Sequence, residues 1–332
     1  MKPRKLSTEE LTKRILNSDL LGLSKGITLI ESTLETDRLQ AEELLNALLP
    51  HTGKSTRIGI TGVPGVGKST FIEAFGEYLI SSKNKKVAVL AIDPSSQQTK
   101  GSILGDKTRM EKLATNANAF IRPSASGISL GGVANKTRET LLLCEAAGYD
   151  VTIIETVGVG QSETSVKGMT DFFLLLMLSG AGDELQGIKR GIMEMADLLA
   201  INKSDGDNIK KASIAKNTYQ NALHLLPPHQ YGWTPITTTC SSTQGTGIDI
   251  IWNNIEAYYN LMGFNIQSIR EKQQENWLNE TLQNRLLEDF LLHPEVKKQL
   301  PELKKKVKEG KMVPSTATRA LIKLILSRPN QK

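Results

Sequence analysis

Apolar and polar positions along the chain change their spacing twice, and these changes divide it into three parts. Residues 1–54 carry apolar positions at helical spacing, with Thr36 or Asp37 as a helix N-cap. Residues 55–263 alternate short apolar runs with helical stretches, and helical spacing dominates again in residues 264–332. Such alternation is typical of an α/β domain whose helices cover both faces of a parallel sheet. The pattern predicts a doubly wound, mostly parallel sheet with helical extensions at both ends.

Several apolar runs in the central part predict buried strands. Polar segments that contain the candidate functional residues follow these runs. The runs are Arg57–Thr61, Val87–Ile92, Val151–Ile154, Asp197–Ile201 and Pro235–Thr238. A further run, Phe172–Leu178, is of strand length and too short to span a membrane. In the C-terminal part, Trp277, Leu278, Leu282, Leu286 and Leu287 form an apolar stripe that serves either as core or as a dimer contact.

The first run leads into a glycine-rich stretch that fits G-x-x-x-x-G-K-[ST] at every fixed position and opens a helix. Glycines lack a Cβ, so backbone N–H groups can close around a phosphate chain at the positive end of the helix. Lys68 is expected to reach the β- and γ-phosphates, and the Ser69 hydroxyl is expected to ligate Mg²⁺. The predicted phosphate-binding residues are Gly62, Val63, Pro64, Gly65, Val66, Gly67, Lys68, Ser69 and Thr70.

A second motif predicts which base is bound. Asn202, Lys203 and Asp205 form N-K-x-D directly after a strand and downstream of the phosphate loop. The Asp205 carboxylate is expected to accept from guanine N1–H and the exocyclic N2 amino group, a pair that adenine does not present. Ser241, Ser242 and Thr243 resemble the loop whose backbone reads guanine O6, although Ser242 replaces the usual alanine. Together these residues predict binding of GTP and GDP.

Acidic residues after two further strands are candidates for the metal site. Asp93 follows the run 87–92, and Glu155 occupies the acidic position of a D-x-x-G pattern with Glu in place of Asp. Gly158 in that pattern is expected to give its N–H to the γ-phosphate and to release it after hydrolysis. Asp106 is a third candidate, with a helix N-cap as its alternative role. Mg²⁺ keeps several of its waters, so some of these acids are expected to act through water.

The catalytic group is less clearly marked in the sequence. Ras-like proteins place a glutamine directly after the D-x-x-G glycine, but Val159 stands there. Gln161 is the nearest candidate for positioning the attacking water. Lys189 lies in a polar segment between a strand and a helix and is a candidate source of positive charge, with a solvated helix start as its alternative.

The ordered motifs from about Thr56 through Ser242 are similar to those of the methylmalonyl-CoA-mutase-associated GTPases, a family formerly labelled arginine/ornithine transport kinases. The resemblance is carried by G-V-P-G-V-G-K-S-T, A-I-D-P-S-S, G-D-K-T-R-M, E-T-V-G-V-G-Q-S-E, L-Q-G-I-K-R-G-I and N-K-S-D. It implies a homodimeric G-protein chaperone that docks on an adenosylcobalamin-dependent acyl-CoA mutase, gates cofactor loading and protects the mutase. The polar segment around Lys189 resembles the third switch of that family.

Composition and charge agree with a globular protein. The chain has 332 residues, of which 39% are hydrophobic and 23% charged, with a net charge of +6. The segment 295–332 carries eleven basic and three acidic residues, a balance of +8, so the rest is slightly acidic. Leucines interleave with these lysines and no aromatic residues do, which favours solvated amphipathic helices over nucleic-acid binding. No apolar segment follows the basic N-terminus, so we expect a cytoplasmic location with neither a membrane nor a nucleic-acid partner.

Two alternative functions remain at this point. A nickel-type metallochaperone GTPase belongs to the same wider class, but such proteins usually carry His- or Cys-rich tracts, and the four histidines and two cysteines here are scattered. A P-loop kinase is suggested by the older family label. Against it, N-K-S-D reads guanine and has no part in ATP-dependent kinases.

Overall fold

The computed structural model describes residues 6–92, 110–123, 130–156, 162–180, 190–227 and 229–326. The chain divides into two compact units, residues 1–274 and residues 275–332. The predicted boundaries at residues 54 and 263 remain a prediction. No helix in the described part of the chain is long and apolar enough to cross a membrane.

A parallel sheet forms the centre of the first unit. Its described strands are β1 (Thr56–Gly62), β2 (Val87–Ile92), β3 (Ala119–Arg122), β4 (Val151–Thr156), β5 (Phe172–Leu178), β6 (Leu198–Asn202) and β7 (Ile236–Thr239). They lie in the order β3-β2-β4-β1-β5-β6-β7, and every neighbouring pair is parallel. Because all strands run the same way, their carboxyl ends meet at one edge of the sheet.

Helices precede, connect and follow the strands. The described ones are α1 (Thr8–Leu16), α2 (Leu20–Glu31), α3 (Glu35–Leu48), α4 (Lys68–Lys83), α5 (Glu111–Thr115), α6 (Leu130–Ala146), α7 (Ser162–Lys167), α8 (Arg190–Met195), α9 (Ile209–Leu223), α10 (Ile248–Met262), α11 (Asn265–Leu292), α12 (Pro294–Lys308) and α13 (Pro314–Leu326). The predicted doubly wound fold with helices at both ends is confirmed.

The apolar runs became strands because the sheet is buried on both faces. Every residue of β2, β4 and β6 is buried, as expected for strands covered by helices on either side. β3 was not anticipated from the sequence. It has four residues whose burial alternates, and it lies at the edge of the sheet, so it lacks the continuous apolar run of a central strand.

The N-terminal helices pack against one another and against α6. α1 begins with a capping box, in which Ser7 and Glu10 each bond the other's backbone N–H. The predicted cap at Thr36 or Asp37 was wrong, because α3 begins at Glu35 and both residues lie in its first turn. Asp37 instead accepts a hydrogen bond of 2.7 Å from the Ser32 hydroxyl.

The second unit has a small core of its own. Val296 and Leu303 of α12 and Ala317 and Leu321 of α13 are its buried apolar residues. The lysines of α12 lie on the other side of an amphipathic helix, as the interleaved pattern of leucine and lysine predicts.

Candidate functional site

The loop between β1 and α4 forms the base of the candidate site. β1 ends at Gly62 and α4 begins at Lys68, so the loop leads directly into the N-terminal end of a 16-residue helix. Gly67, at the N-cap, adopts a φ of 88°, a left-handed conformation that side chains disfavour. The Val66 N–H donates to the Val63 carbonyl at 3.2 Å and closes the turn. This arrangement presents the first N–H groups and the positive end of the helix dipole to an anion.

Lys68 lies over this loop. Its Nζ donates to the Gly62 carbonyl at 2.9 Å. Burial lowers the pKa of Lys68 below its ordinary value, while the negative charges of Glu155 and Glu163 act in the opposite direction. The ammonium group is therefore partly desolvated, and its attraction for a phosphate is screened less than at an open surface.

The end of β6 is joined to the phosphate loop by two side chains. Asn202 Nδ2 donates to the Val66 carbonyl at 2.9 Å, and Lys203 Nζ donates to the Gly65 carbonyl at 2.8 Å. Lys203 has a φ of 57°, an uncommon conformation for a residue with a side chain. That conformation turns the chain sharply at the carboxyl end of β6. Asn202 and Lys203, the first two residues of N-K-S-D, therefore hold the phosphate loop in place through these two hydrogen bonds.

Asp205 faces the turn that follows β7. Its Oδ2 accepts a short hydrogen bond from the Ser241 hydroxyl and one of 3.3 Å from the Thr243 hydroxyl. Ser204 stabilises this turn, because its N–H donates to the Cys240 carbonyl at 3.0 Å. Two hydroxyls therefore orient the carboxylate that the motif assigns to guanine recognition.

Ser242 contacts Asn202 rather than Asp205. Its hydroxyl donates to Asn202 Oδ1 at 2.8 Å, and its backbone N–H lies 3.2 Å from the same oxygen. Cys240 Sγ donates to that oxygen at 3.6 Å, and burial raises the pKa of the Cys240 thiol to about 12, so the thiol stays protonated. The serine that replaces the usual alanine thus adds a hydrogen bond that an alanine would lack.

Glu155 lies one residue before the end of β4 and is buried. It pairs in register with Ile60 of β1 and Ala91 of β2, at the same sheet edge as the phosphate loop. Ser69 lies in the first turn of α4 at that edge. A hydroxyl and a carboxylate are hard oxygen donors, which fit Mg²⁺ better than a softer metal.

Five predicted site residues lie outside the described residues: Asp93, Asp106, Gly158, Gln161 and Lys189. Their strand and helix neighbours are described. β2 ends at Ile92, whose register partner is Thr156 at the end of β4.

Glu163 belongs to the site region, although no role was predicted for it. Its side chain is 1% exposed on α7, and its charge acts on Lys68. The sequence signal was present, because Glu163 is the last residue of E-T-V-G-V-G-Q-S-E. A glutamate after a serine reads as an ordinary start of a helix, and only its burial near Lys68 distinguishes it.

Comparison with known proteins identifies the family. The model of methylmalonyl Co-A mutase-associated GTPase MeaB matches residues 23–295, which is most of the chain. The chain belongs to this family. As a member of this GTPase family it binds guanine nucleotides and hydrolyses GTP, which confirms the nucleotide class and the reaction predicted from the motifs.

Its relatives cover nearly the whole chain. GTPase ArgK of Escherichia coli is 44% identical over 318 residues, covering 95% of this chain and 96% of the relative. The mouse protein named methylmalonic aciduria type A homolog, mitochondrial, is 43% identical, covering 92% of this chain and 76% of the relative. The crystal structure of a protein named LAO/AO transport system kinase superposes with a TM-score of 0.76 at 37% identity, covering 98% of this chain and all of that one.

Proposed function

We propose that this mutase-associated GTPase is a chaperone that docks on an adenosylcobalamin-dependent acyl-CoA mutase of the methylmalonyl-CoA mutase type, gates cofactor loading and protects the mutase. The observation that carries the proposal is the match of the family model, whose name joins the GTPase to that mutase. The mouse relative, named for methylmalonic aciduria, supports the same partner.

The phosphate and base residues have distinct roles in this proposal. Backbone N–H groups of residues 62–70, Pro64 excepted because it has none, bind the phosphate chain, and Lys68 balances the charge on the β- and γ-phosphates. Asp205 accepts from guanine N1–H and N2, oriented by Ser241 and Thr243. Asn202 and Lys203 keep the phosphate loop and the base loop at a fixed separation.

We propose a Mg²⁺ site formed by the Ser69 hydroxyl with Asp93, Asp106 and Glu155, some of them acting through water. When bound, Mg²⁺ neutralises charge on the phosphates. Because Ser69 is a weak single ligand among carboxylates, Ser69→Ala should raise the Mg²⁺ concentration needed for half-maximal hydrolysis without abolishing it. A magnesium titration of the hydrolysis rate measures this, and an unchanged midpoint would remove Ser69 from the ligand set.

Turnover of the isolated chain should be slow, well below the roughly 1–100 s⁻¹ of kinases. No glutamine directly follows Gly158, and the candidate groups Gln161 and Lys189 lie on segments next to α7 and α8. Docking of the mutase is expected to bring Lys189 to the transferring phosphoryl group, as an arginine supplied by a partner does in other GTPases.

The test is single-turnover GTP hydrolysis with and without an adenosylcobalamin-dependent mutase, for the wild type and Lys189→Ala. We expect the mutase to accelerate the wild type, and Lys189→Ala to reduce the acceleration more than the basal rate. Arg190→Ala serves as the neighbouring-cation control. No acceleration by the mutase would overturn the docking proposal, whereas acceleration that survives Lys189→Ala would leave docking intact and remove the catalytic role of Lys189.

We also propose that the protein is a homodimer. The second part of α11 carries a series of exposed leucines, and contiguous exposed apolar residues are typical of a protein–protein contact. They are Leu278, Leu282, Leu286, Leu287, Leu291 and Leu292. Sedimentation velocity should give twice the mass of the chain, and Leu282→Glu together with Leu286→Glu should reduce it to that of the monomer.

A further inference from the structure

The first turns of α11 hold the end of α7, the short helix that follows the D-x-x-G segment. Gln273 Nε2 donates to the Thr170 carbonyl at 2.9 Å and to the Lys167 carbonyl at 3.3 Å. The last carbonyls of a helix lack partners within the helix, so an amide that reaches them acts as a cap. α7 therefore ends against a side chain that is supplied from about a hundred residues further along the chain.

A second contact of α11 reinforces the first. Arg270, one turn before Gln273, forms a paired hydrogen bond with Asp171, with Nε to Oδ1 at 2.9 Å and Nη2 to Oδ2 at 2.6 Å. Both side chains are almost completely buried. Since Asp171 immediately precedes β5, the whole connection from α7 to β5 is held by two residues at helical i, i+3 spacing.

α7 also lies unusually close to the sheet. Gly59 of β1 has no side chain, and a Cβ there would lie 2.7 Å from Val166 of α7 and 2.9 Å from the Thr170 hydroxyl. Close packing of this kind transmits displacements because there is no free space to absorb them. A shift of α7 therefore has to change the contacts at its C-terminal end, where Gln273 binds.

Gln273 is a costly way to build a purely structural contact. Among the described residues its Oε1 is buried and has no hydrogen-bond partner. A buried polar atom without a partner is unfavourable, and an apolar side chain of similar size would avoid that cost. Such an atom in a native fold calls for a specific explanation.

We infer that Gln273 couples the first turns of α11 to the nucleotide state through α7. α7 begins at Ser162, four residues after the glycine predicted to bind the γ-phosphate, and α11 continues beyond Gln274 into the second unit. The contact between Gln273 and the end of α7 is more stable in one of the two nucleotide states, GDP-bound or GTP-bound, than in the other. The inference rests on guanine-nucleotide binding by the family and does not depend on mutase docking.

Thermodynamic linkage between the contact and nucleotide binding distinguishes a coupling role from a purely structural one. If the contact differs between the two nucleotide states, its removal must change the ratio of the affinities for the two nucleotides. A purely structural contact would change both affinities by the same factor, or neither. Loss of a hydrogen bond of ordinary strength predicts a change in the ratio of about three- to tenfold.

The experiment measures the dissociation constants of GDP and of a non-hydrolysable GTP analogue for the full-length wild type, Gln273→Met and Gln267→Met. Methionine keeps the length of glutamine and removes the donor. Gln267 is the matched control, because it lies exposed on the same helix and its side chain donates to Glu271, one turn further along that helix, in the described structure. We expect the affinity ratio to shift at least threefold in Gln273→Met and to stay at the wild-type value in Gln267→Met.

Hydrogen exchange of the wild type gives a second measurement that needs no variant. Amides of residues 265–274 should exchange at different rates in the GDP state and in the analogue state. Equal exchange in the two states overturns the inference. So does an affinity ratio in Gln273→Met within threefold of the wild-type ratio, whether or not its melting temperature falls. Should Gln273→Met fail to fold, the exchange measurement alone decides.

Discussion

Asn202 is the residue at which three segments of the nucleotide site meet. Its Nδ2 bonds the phosphate loop, and its Oδ1 accepts from Ser242 of the base loop, while its backbone ends β6. Because both ends of one buried amide are engaged, the phosphate loop and the base loop cannot shift independently. In the proposed function, Asp205 recognises the base and Lys68 contacts the phosphates on either side of this amide.

Asp205→Asn should exchange guanine for xanthine preference. The variant replaces an acceptor by an amide that can donate to the C2 carbonyl of xanthine. GTP affinity should fall about 10- to 150-fold, the range for a hydrogen bond to a charged group, while XTP affinity rises. Competition binding with the two nucleotides measures both effects. Asp207→Asn is the control, since Asp207 is exposed in the same loop, and an equal response of the two variants would remove Asp205 from base recognition.

Lys68→Ala should lower the rate of GTP hydrolysis about a hundredfold or more, because the cation that balances developing phosphate charge is removed. The fold should persist, since Lys68 donates to a single loop carbonyl and lies at the edge of the core. Hydrolysis and thermal melting are measured together. Lys83→Ala, at the opposite end of the same helix, should retain wild-type activity. A normal rate in Lys68→Ala would show that the phosphate site lies elsewhere.

At the scale of elements, the sheet brings the parts of the site to one edge. The close packing of α7 against β1 limits how far α7 can move. The carboxyl ends of β1, β4 and β6 carry the phosphate loop, the acidic residue and the base motif. α7, which follows the D-x-x-G segment, approaches β1 so closely that a glycine is needed opposite it. The short distance between α7 and β1 is therefore possible only because residue 59 has no side chain.

Gly59→Ala should destabilise the protein by about 1–3 kcal/mol, the usual cost of overpacking a core. The added Cβ would lie 2.7 Å from Val166 and 2.8 Å from Phe173. Gly191→Ala is the matched control, because a Cβ there meets open space and alanine suits a helix better than glycine. Thermal denaturation should show a lowered melting temperature for Gly59→Ala and an unchanged or raised one for Gly191→Ala. Equal melting temperatures would mean that α7 relaxes freely.

At the scale of the whole molecule, buried charges join distant segments at the amino-terminal edge of the sheet, opposite the nucleotide site. Arg57 of β1 forms a paired hydrogen bond with Glu145 of α6, with both distances 2.8 Å. Glu145 also accepts from Ser55 and from the Gly53 N–H. Arg270 closes the network by donating to the carbonyls of Gly53 and Ser55.

Glu145 should make stability depend on pH. Burial by itself raises the pKa of Glu145, but the hydrogen bonds and charge of Arg57, with Ser55 and Gly53, outweigh burial and hold it below its ordinary value of 4.5. A pKa that is lower in the folded state contributes stability above about pH 4.5, and that contribution is lost as pH falls through the lowered value.

Glu145→Gln should therefore be about 3–5 kcal/mol less stable than the wild type at pH 7, because it leaves a buried arginine without its charge partner. The difference should shrink below pH 4.5, as measured by denaturant unfolding across pH 3–7. Glu302→Gln is the control, since its partner Lys306 is exposed and the pair is expected to contribute little at any pH. A difference that stays constant down to pH 3 would contradict the assignment.

The sequence alone determined the parts of the protein that depend on neighbours in the chain. The phosphate loop, N-K-S-D and the apolar runs of β1, β2, β4 and β6 were recognisable because glycine positions, continuous apolar runs and fixed motif spacing are properties of neighbouring residues in the chain. They predicted the fold class, the nucleotide and the reaction. The edge strand β3 escaped because four residues of alternating burial carry too little pattern.

The tertiary structure decided which distant side chains meet. Glu145 lies 88 residues from Arg57, and Asp171 lies 99 residues from Arg270, so no sequence period relates them. Nothing in the local pattern marked Gln273 as the cap of α7. Glu163 ends a recognisable motif, but the motif does not show that its side chain is buried where its charge acts on Lys68. An isolated glutamine or glutamate on a helix is normally solvated. Its role emerges only when the fold removes water around it and leaves one partner within reach.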